Sequence, residues 1–386
     1  MANANLANAK RAKNDEFYTQ YSDIQKEVEA YLEYKPDTFR DKVVYCNCDD
    51  PFESNFFKYF VLNFNRLELK RLITTSYKPS PIANTQLALF GDDKVLETPK
   101  GRPKPTANKF IINEVGDTDG DGAFGLPDIA KQLKANKHNE WAPLKGDGDF
   151  RSEECVELLK QSDIVVTNPP FSLFREYVAQ LIEHKKSFLI IGNMNAITYK
   201  EVFPLIKENK VWLGNNARVN GGAMFYEIPE AVANLDQVRE IKVDENGRRV
   251  YITRVQGVRW FTNLDHGRLH QPLILMPEVD VIKYVTKKPF EHYDNYDGIE
   301  VSLVKNIPAD HMGVMGVPIS FLDKYSPEQF EIIWQASGNT RASAPADILQ
   351  RLNYRKHPED RGGCTVINNR RTYGRILIQH KGGTAT

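Results

Sequence analysis

Asn168, Pro169, Pro170 and Phe171 follow directly on the apolar, β-branched run Ile164-Val165-Val166. Each proline fixes φ at about −65° and lacks an N–H, so the pair holds a rigid extended segment whose carbonyls cannot fold back into a helix. Asn168 supplies an amide oxygen, a proline carbonyl supplies a second acceptor, and Phe171 supplies a flat apolar face. That set suits a planar heterocycle bearing an exocyclic amine: two oxygens accept the amine hydrogens while the ring stacks on the phenylalanine. An aromatic amine is a weak nucleophile because its lone pair is delocalised into the ring. Acceptors on its hydrogens draw the pair back onto nitrogen, from which it can attack an activated methyl in line. Asn-Pro-Pro is also an ordinary turn after a strand, so the four residues need their context.

Other segments carry polar groups at comparable places. Val43-Val44-Tyr45-Cys46 reads as a buried strand and runs into Asn47-Cys48-Asp49-Asp50-Pro51-Phe52-Glu53-Ser54-Asn55. A polar turn between a buried strand and a helix is where doubly wound sheets bind ligands, although the Gly-rich fingerprint is missing here. Asp149-Phe150 precedes another helix, which places Asp149 on the same sheet edge as Asn47 and Asn168 or makes it a helix cap. Phe17-Tyr18-Thr19, just before a helix, either touches a ligand or staples the helix start. Asp117, Asp119, Asp121 and Asp128 have the spacing of a calcium loop with Asp replacing the final Glu, a half-motif that resembles a dockerin loop. No amphipathic helix leads in, and an acidic, Gly-rich turn without metal is the alternative. Cys46, Cys48, Cys155 and Cys364 suggest neither a disulfide framework nor a zinc site.

The elements that must position these residues alternate. A helix from Ser22-Asp23-Ile24-Gln25, which has a capping-box pattern, is closed by Pro36. Strands are expected at 43–46, 72–76, 110–112, 164–166 and 188–191. Helices are expected after Ser54, from Asp128, around Cys155-Leu158-Leu159 and from Leu173. This β-α-β, insertion, α-β-α-β order requires a mostly parallel α/β sheet. From about 211 short strands and turns follow, with Glu245-Asn246-Gly247 marking a hairpin. A last helix is expected from Pro327 through Ile332, Ile333 and Trp334.

Lys+Arg and Asp+Glu each number 51, so attraction to an acidic partner must come from a local patch. Residues 338–386 supply one, with nine Lys/Arg against three acids. Arg355, Lys356, Arg370, Arg371 and Arg375 are its candidate phosphate contacts, interleaved with Tyr354, Tyr373 and Ile376-Leu377-Ile378. A solvated basic tail is the rival. The first 13 residues read as a disordered lead without a signal-peptide core, and no stretch approaches membrane-spanning length. A soluble, cytoplasmic protein with no membrane partner is expected.

Asn168-Pro169-Pro170-Phe171 resembles the catalytic motif of amino-methylating DNA methyltransferases that use S-adenosyl-L-methionine (AdoMet). Asp49-Asp50-Pro51-Phe52-Glu53-Ser54-Asn55-Phe56, Arg259-Trp260-Phe261-Thr262-Asn263 and the run from Met315 to Tyr325 are similar to the EcoRI-type adenine-specific family. The resemblance implies a Rossmann-like sheet with insertions and a β-rich carboxyl-terminal target-recognition region. Its organisation would be a cofactor-contacting segment at 1–35, a catalytic domain at 36–215 with an insertion at about 78–147, and remaining strands plus target recognition at 216–386. It also implies methyl transfer from AdoMet to N6 of an adenine flipped out of double-stranded DNA, in a solitary enzyme or one working beside a cognate restriction endonuclease. Asn168 and Pro169 would accept the amine hydrogens, and Pro170 and Phe171 would complete the motif, with the ring stacked on adenine. Phe17, Tyr18 and Thr19 would contact the cofactor, Cys46, Asn47 and Asp49 would replace its Gly-rich loop, and Asp149 and Phe150 would flank its adenine. The sequence departs from the wider pattern in lacking F-x-G-x-G and an acid after the 72–76 strand. Cytosine N4, RNA adenine, a protein glutamine, or a silent DNA-binding role are the alternatives.

Overall fold

The structure, a computed structural model, describes residues 18–48, 54–77, 107–118, 120, 124–135, 138–215, 223–228, 238–243, 249–338 and 340–382. The chain forms two compact units, residues 1–194 with 216–264 and residues 195–215 with 265–386. Val258–Thr262 pairs with Ser187–Asn193 of the first unit.

In the first unit, β1 (Tyr18–Thr19) leads into α1 (Tyr21–Tyr34). The Ser22–Gln25 capping box goes unused: the helix starts at Tyr21, with Gln20 as N-cap and no side-chain cap. Next come β2 (Val43–Cys46), α2 (Asn55–Leu62) and β3 (Arg71–Thr75), where Ser54 Oγ caps α2 by accepting from the amides of Phe56 and Phe57. Then follow β4 (Asn108–Ile112), α3 (Leu126–Ala135), β5 (Glu140–Pro143), α4 (Glu153–Gln161), β6 (Ile164–Thr167), α5 (Phe174–Glu183) and β7 (Ser187–Asn193). β2, β3, β6 and β7 pair in parallel, and every residue of β2 and β6 is buried, as the unbroken apolar runs require. β8 (Ala223–Ile228), β9 (Val238–Val243), β10 (Arg249–Gln256) and β11 (Val258–Thr262) complete the unit. Within this unit the strands of the main sheet are ordered β5-β4-β3-β2-β6-β7-β11, with β4, β5 and β11 antiparallel to their neighbours. A smaller antiparallel sheet is ordered β1-β8-β10-β9.

The core packs Ile24, Val28 and Tyr31 of α1 against Phe56, Tyr59 and Phe60 of α2, and both against the strands. Each such side chain contributes about 1.5–3 kcal/mol on burial. Glycine is required at 192 because a Cβ there would lie 2.5 Å from the Phe174 ring, which packs on Phe261 at 5.0 Å.

The second unit holds β12 (Ile299–Glu300), β13 (Met315–Val317), β14 (Phe330–Ala336), the hairpin of β15 (Val366–Ile367) and β16 (Arg370–Arg371), and β17 (Arg375–His380). One sheet is ordered β12-β13-β17-β14. The helix expected over Ile332-Ile333-Trp334 is thus a strand. A register shift between Ile332 and Trp334 bulges Ile333, so three successive apolar residues are buried together and imitate a helical pattern. Among the described residues no helix is long and apolar enough to cross a membrane.

Candidate active site

β2 and β6 are parallel neighbours, yet the chain leaves β2 toward β3 on one side and β6 toward β7 on the other. The turns after them diverge, the arrangement at which open α/β sheets take ligands at the carboxyl ends of their strands. Asn47 and Asn168, 3 % and 7 % exposed, are the first residues beyond those two ends. Thr167 Oγ1 donates to the Asn47 carbonyl, and the Tyr177 hydroxyl donates to Asn47 Oδ1. Burial pushes the Tyr177 phenol well above its ordinary range, so it stays a donor. With Oδ1 engaged, Asn47 has its amide N–H groups to offer a ligand.

The proline tip is built from its own backbone. Pro169 is buried and Pro170 half-buried, and the Pro170 carbonyl accepts the Leu173 N–H at 2.9 Å, winding residues 171–173 into a 3-10 turn that starts α5. Phe171 is half-buried against the core.

The loop carrying Asp149 and Phe150 lies against the end of β3. Gly148 has φ +78°, and a Cβ there would sit 1.9 Å from the Ser76 carbonyl oxygen, so only glycine allows this approach. Phe150 meets Tyr177 edge-on, with centroids 4.9 Å apart. Arg151 clamps Asp149 through Nε (2.9 Å) and Nη2 (2.7 Å), reaches Glu176 of α5 at 2.8 Å, and lies 5.3 Å above the Phe150 ring. Asp149 first, then Glu176, raise the Arg151 pKa. Tyr177 and Glu176 of α5 thus fix the 147–150 loop and the β2 turn from the helix that follows the proline tip. Tyr177, Thr167 and Arg151 were not candidates from sequence. Tyr177 was legible there only as part of the apolar face of α5, and nothing in the spacing shows that its hydroxyl reaches Asn47, 130 residues away.

Thr19 is 2 % exposed and its carbonyl accepts from Asn55 Nδ2 at 2.8 Å, tying β1 to the start of α2. Tyr18 pairs through its backbone with Glu227. The Cys46 side chain is wholly buried in the core, so this residue offers the sheet edge its backbone. None of the four cysteines is in a disulfide. Phe17, Asp49 and the rest of residues 1–17 and 49–53 lie outside the described residues.

The expected calcium loop is not supported. Asp128 is 3 % exposed and turns both oxygens to local donors: Oδ1 accepts from the amide and hydroxyl of Thr118 at 2.8 and 2.9 Å, and Oδ2 accepts from the Gly125 amide at 2.8 Å. Asp117 Oδ1 accepts from the Gly120 amide at 2.7 Å. Asp119 and Asp121 lie outside the described residues, and among the described residues no group of three or more acidic, His or Cys side chains is placed to hold a metal.

The basic segment sorts into two sets. Arg341, Arg351, Arg355 and Arg375 are paired with Asp360, Glu331, Asp297 and Glu300. Arg375 is mostly buried, and its fork takes both oxygens of Glu300, which also accepts from Tyr293 and Ser302. Lys356, Arg361, Arg370, Arg371 and Lys381 form no ion pair among the described residues.

A mixed α/β sheet with a parallel centre, contrary to the mostly parallel sheet expected, with a proline-stiffened Asn at its switch point, and a β-rich second unit, define a Rossmann-like methyltransferase. The family model described as "Adenine-specific methyltransferase EcoRI" matches residues 5–381. The Type II methyltransferase M.EcoRI of Escherichia coli is 41 % identical over 376 residues, covering 97 % of this chain and 96 % of that one. Type II methyltransferases M.MpnI of Mycoplasma pneumoniae and M.MgeORF184P of Mycoplasma genitalium are 34 % and 32 % identical. Those alignments cover 97 % and 96 % of this chain, and 97 % of each relative. No solved structure matches the chain. The chain belongs to the EcoRI family of adenine-specific DNA methyltransferases. Adenine is thereby selected from the planar amines that the tip could hold.

Proposed function

We propose that the protein transfers a methyl group from AdoMet to N6 of an adenine turned out of the DNA duplex, with the reaction held at the β2/β6 switch point. The observation that carries this reading is the placement of Asn168, nearly buried on a rigid tip beside Asn47, whose own orientation is locked by Thr167 and Tyr177.

The residues present fit AdoMet by their chemistry. Asn47 offers amide N–H donors, the Asp149 carboxylate, which accepts from the amide, Nε and Nη2 of Arg151, is a negative acceptor, and Phe150 adds an aromatic ring next to it in the chain. When bound, AdoMet supplies a methyl group activated by a sulfonium. Asn168 Oδ1 and the Pro169 carbonyl accept the two hydrogens of the adenine amine; Pro169 is assigned this role because the Pro170 carbonyl is engaged by Leu173. Accepting those hydrogens polarises the N–H bonds toward nitrogen and localises its lone pair, which would take the methyl group as the sulfonium C–S bond breaks and one amine proton passes to water; the stiffness of the tip means that the acceptors need no reorganisation during reaction. Phe171 stacks on the base. Thr19 and Tyr18 border the cofactor from β1. DNA is held by cations without carboxylate partners, Lys356, Arg370 and Arg371 among them, with Arg355 exchanging Asp297 for phosphate.

Incubation with methyl-tritiated AdoMet and duplex DNA, followed by digestion to nucleosides, tests the reading. Label in N6-methyladenosine is the expected result. Label in another nucleoside, or in protein alone, contradicts it.

A further inference from the structure

The cations left without acids are not scattered. Arg370 and Arg371 form one strand of a two-residue ribbon, pairing Ile367 with Arg370 and Val366 with Arg371. The turn between them is Asn368-Asn369, with φ of +52° and +57°. Two left-handed residues make the tight turn that joins twisted strands, and Asn tolerates that conformation better than most side chains. Asn368, Arg370 and Arg371 are all exposed, and Tyr373 just beyond is 86 % exposed.

This ribbon is anchored by hydrogen bonds at its base and its turn. The fully buried Asn295 accepts the Val366 amide at 3.0 Å and donates to the Cys364 carbonyl at 2.8 Å. The Asp294 amide donates to the Val366 carbonyl at 2.8 Å, and Asp294 Oδ2 accepts the Asn369 amide at 2.8 Å. His357 Nε2 lies 3.2 Å from Asn369 Oδ1, and the Thr372 amide donates to the Thr365 carbonyl at 2.9 Å. Asp294 lies at the turn, and its carboxylate accepts from the backbone of Asn369. The Asn369 side chain is thus engaged by His357, while the side chains of Asn368, Arg370 and Arg371 are exposed.

A solvated cationic loop needs no such anchoring. Rigid donors are needed where hydrogen-bond direction matters, since fixing a side chain in advance removes the ordering cost from binding. The exposed groups are those that distinguish bases in the major groove: an Asn side chain pairs with adenine N6 and N7, and an Arg fork with guanine O6 and N7. The major groove admits a two-stranded ribbon. We infer that the 366–371 hairpin is a base-reading element of this methyltransferase, in which Asn368 and at least one of Arg370 and Arg371 set the recognised sequence. This inference rests on duplex DNA being the substrate and adds which residues choose among sequences.

The test uses the full chain. Sequencing of methylated DNA from cells expressing the wild type fixes its motif; no methylated DNA at all would sink the parent reading, and with it this one. Given a motif, Asn368→Gly, which keeps the left-handed turn while removing the side chain, is compared with Arg370→Ala and Arg371→Ala. Each is assayed for kcat/KM on the cognate duplex and on duplexes changed at one position, alongside AdoMet binding and melting temperature. Loss of a bidentate base contact lowers discrimination at one position by roughly tenfold to a hundredfold. Asn368→Gly and at least one arginine variant are expected to relax a single position, with AdoMet affinity and melting unchanged. Lys356→Ala, off the ribbon, is expected to weaken all sequences alike. If all three hairpin variants weaken every sequence equally, or change nothing, the hairpin does not read bases and the inference falls.

Discussion

At the scale of single residues, the groups proposed to act on a ligand are distinct from those that hold the protein together. Tyr177 belongs between the two: it touches neither proposed ligand, but orients Asn47. Tyr177→Phe leaves a buried amide oxygen without its donor, a loss of about 1–3 kcal/mol. We therefore expect AdoMet affinity, measured by titration calorimetry, to fall about tenfold or more, while single-turnover chemistry at saturating AdoMet changes little. Arg375 belongs to the fold. Breaking its buried pair with Glu300 should cost about 3–5 kcal/mol in urea unfolding, and the salt dependence of DNA binding should not change. His270 is a separate case, with Nδ1 2.6 Å from Glu328 and Nε2 2.7 Å from Asp265. Glu328 first, then Asp265, raise its pKa. A raised folded-state value means that its contribution to stability is full below about pH 6.5, the unfolded value, and is lost as pH rises through its own midpoint. An NMR titration of His270 should place that midpoint above the ordinary value; a midpoint at or below it contradicts the assignment.

At the scale of elements, the loop at 147–150 offers the sharpest prediction. Gly148→Ala forces a side chain onto the Ser76 carbonyl at a positive φ, with strain of roughly 1–3 kcal/mol. The loop must leave β3 and take Asp149 and Phe150 with it, so AdoMet binding by calorimetry should weaken about tenfold, and wild-type affinity would show that the loop plays no part. This dependence was only half legible. The strands at 43–46 and 164–167 announce themselves as unbroken β-branched runs, and their alternation with helices requires the parallel arrangement that makes a switch point. Asn47 and Asn168 could therefore be placed from sequence. Arg151 and Tyr177 could not, because long-range partnering leaves no local pattern. The strand at 330–336 was misread for a related reason: a bulge buries Ile332, Ile333 and Trp334 together and erases the alternation that marks a strand. The acidic loop had the right residue types for calcium, but spacing does not say that Asp128 will bond Thr118 and Gly125 instead.

At the scale of the whole molecule, equal numbers of acidic and basic residues leave no global field to draw DNA in. Binding must rest on a few cations, and four of the nine in the carboxyl-terminal segment already have acids. With three or four phosphate contacts, log K should fall against log salt with a slope of about −3 to −4. Each of Lys356→Ala and Arg361→Ala should reduce that slope by about one if the residue contacts phosphate. A slope near zero would mean that the segment does not face DNA. The central claim is narrower: the Asn168 amide holds the amine that becomes methylated. Its most direct test is a single-turnover methyl-transfer rate, with AdoMet and a duplex carrying the target site prebound, for wild type and Asn168→Ala. The account predicts a fall on the order of 10²-fold or more with AdoMet affinity retained; a variant that transfers methyl at close to the wild-type rate would contradict it.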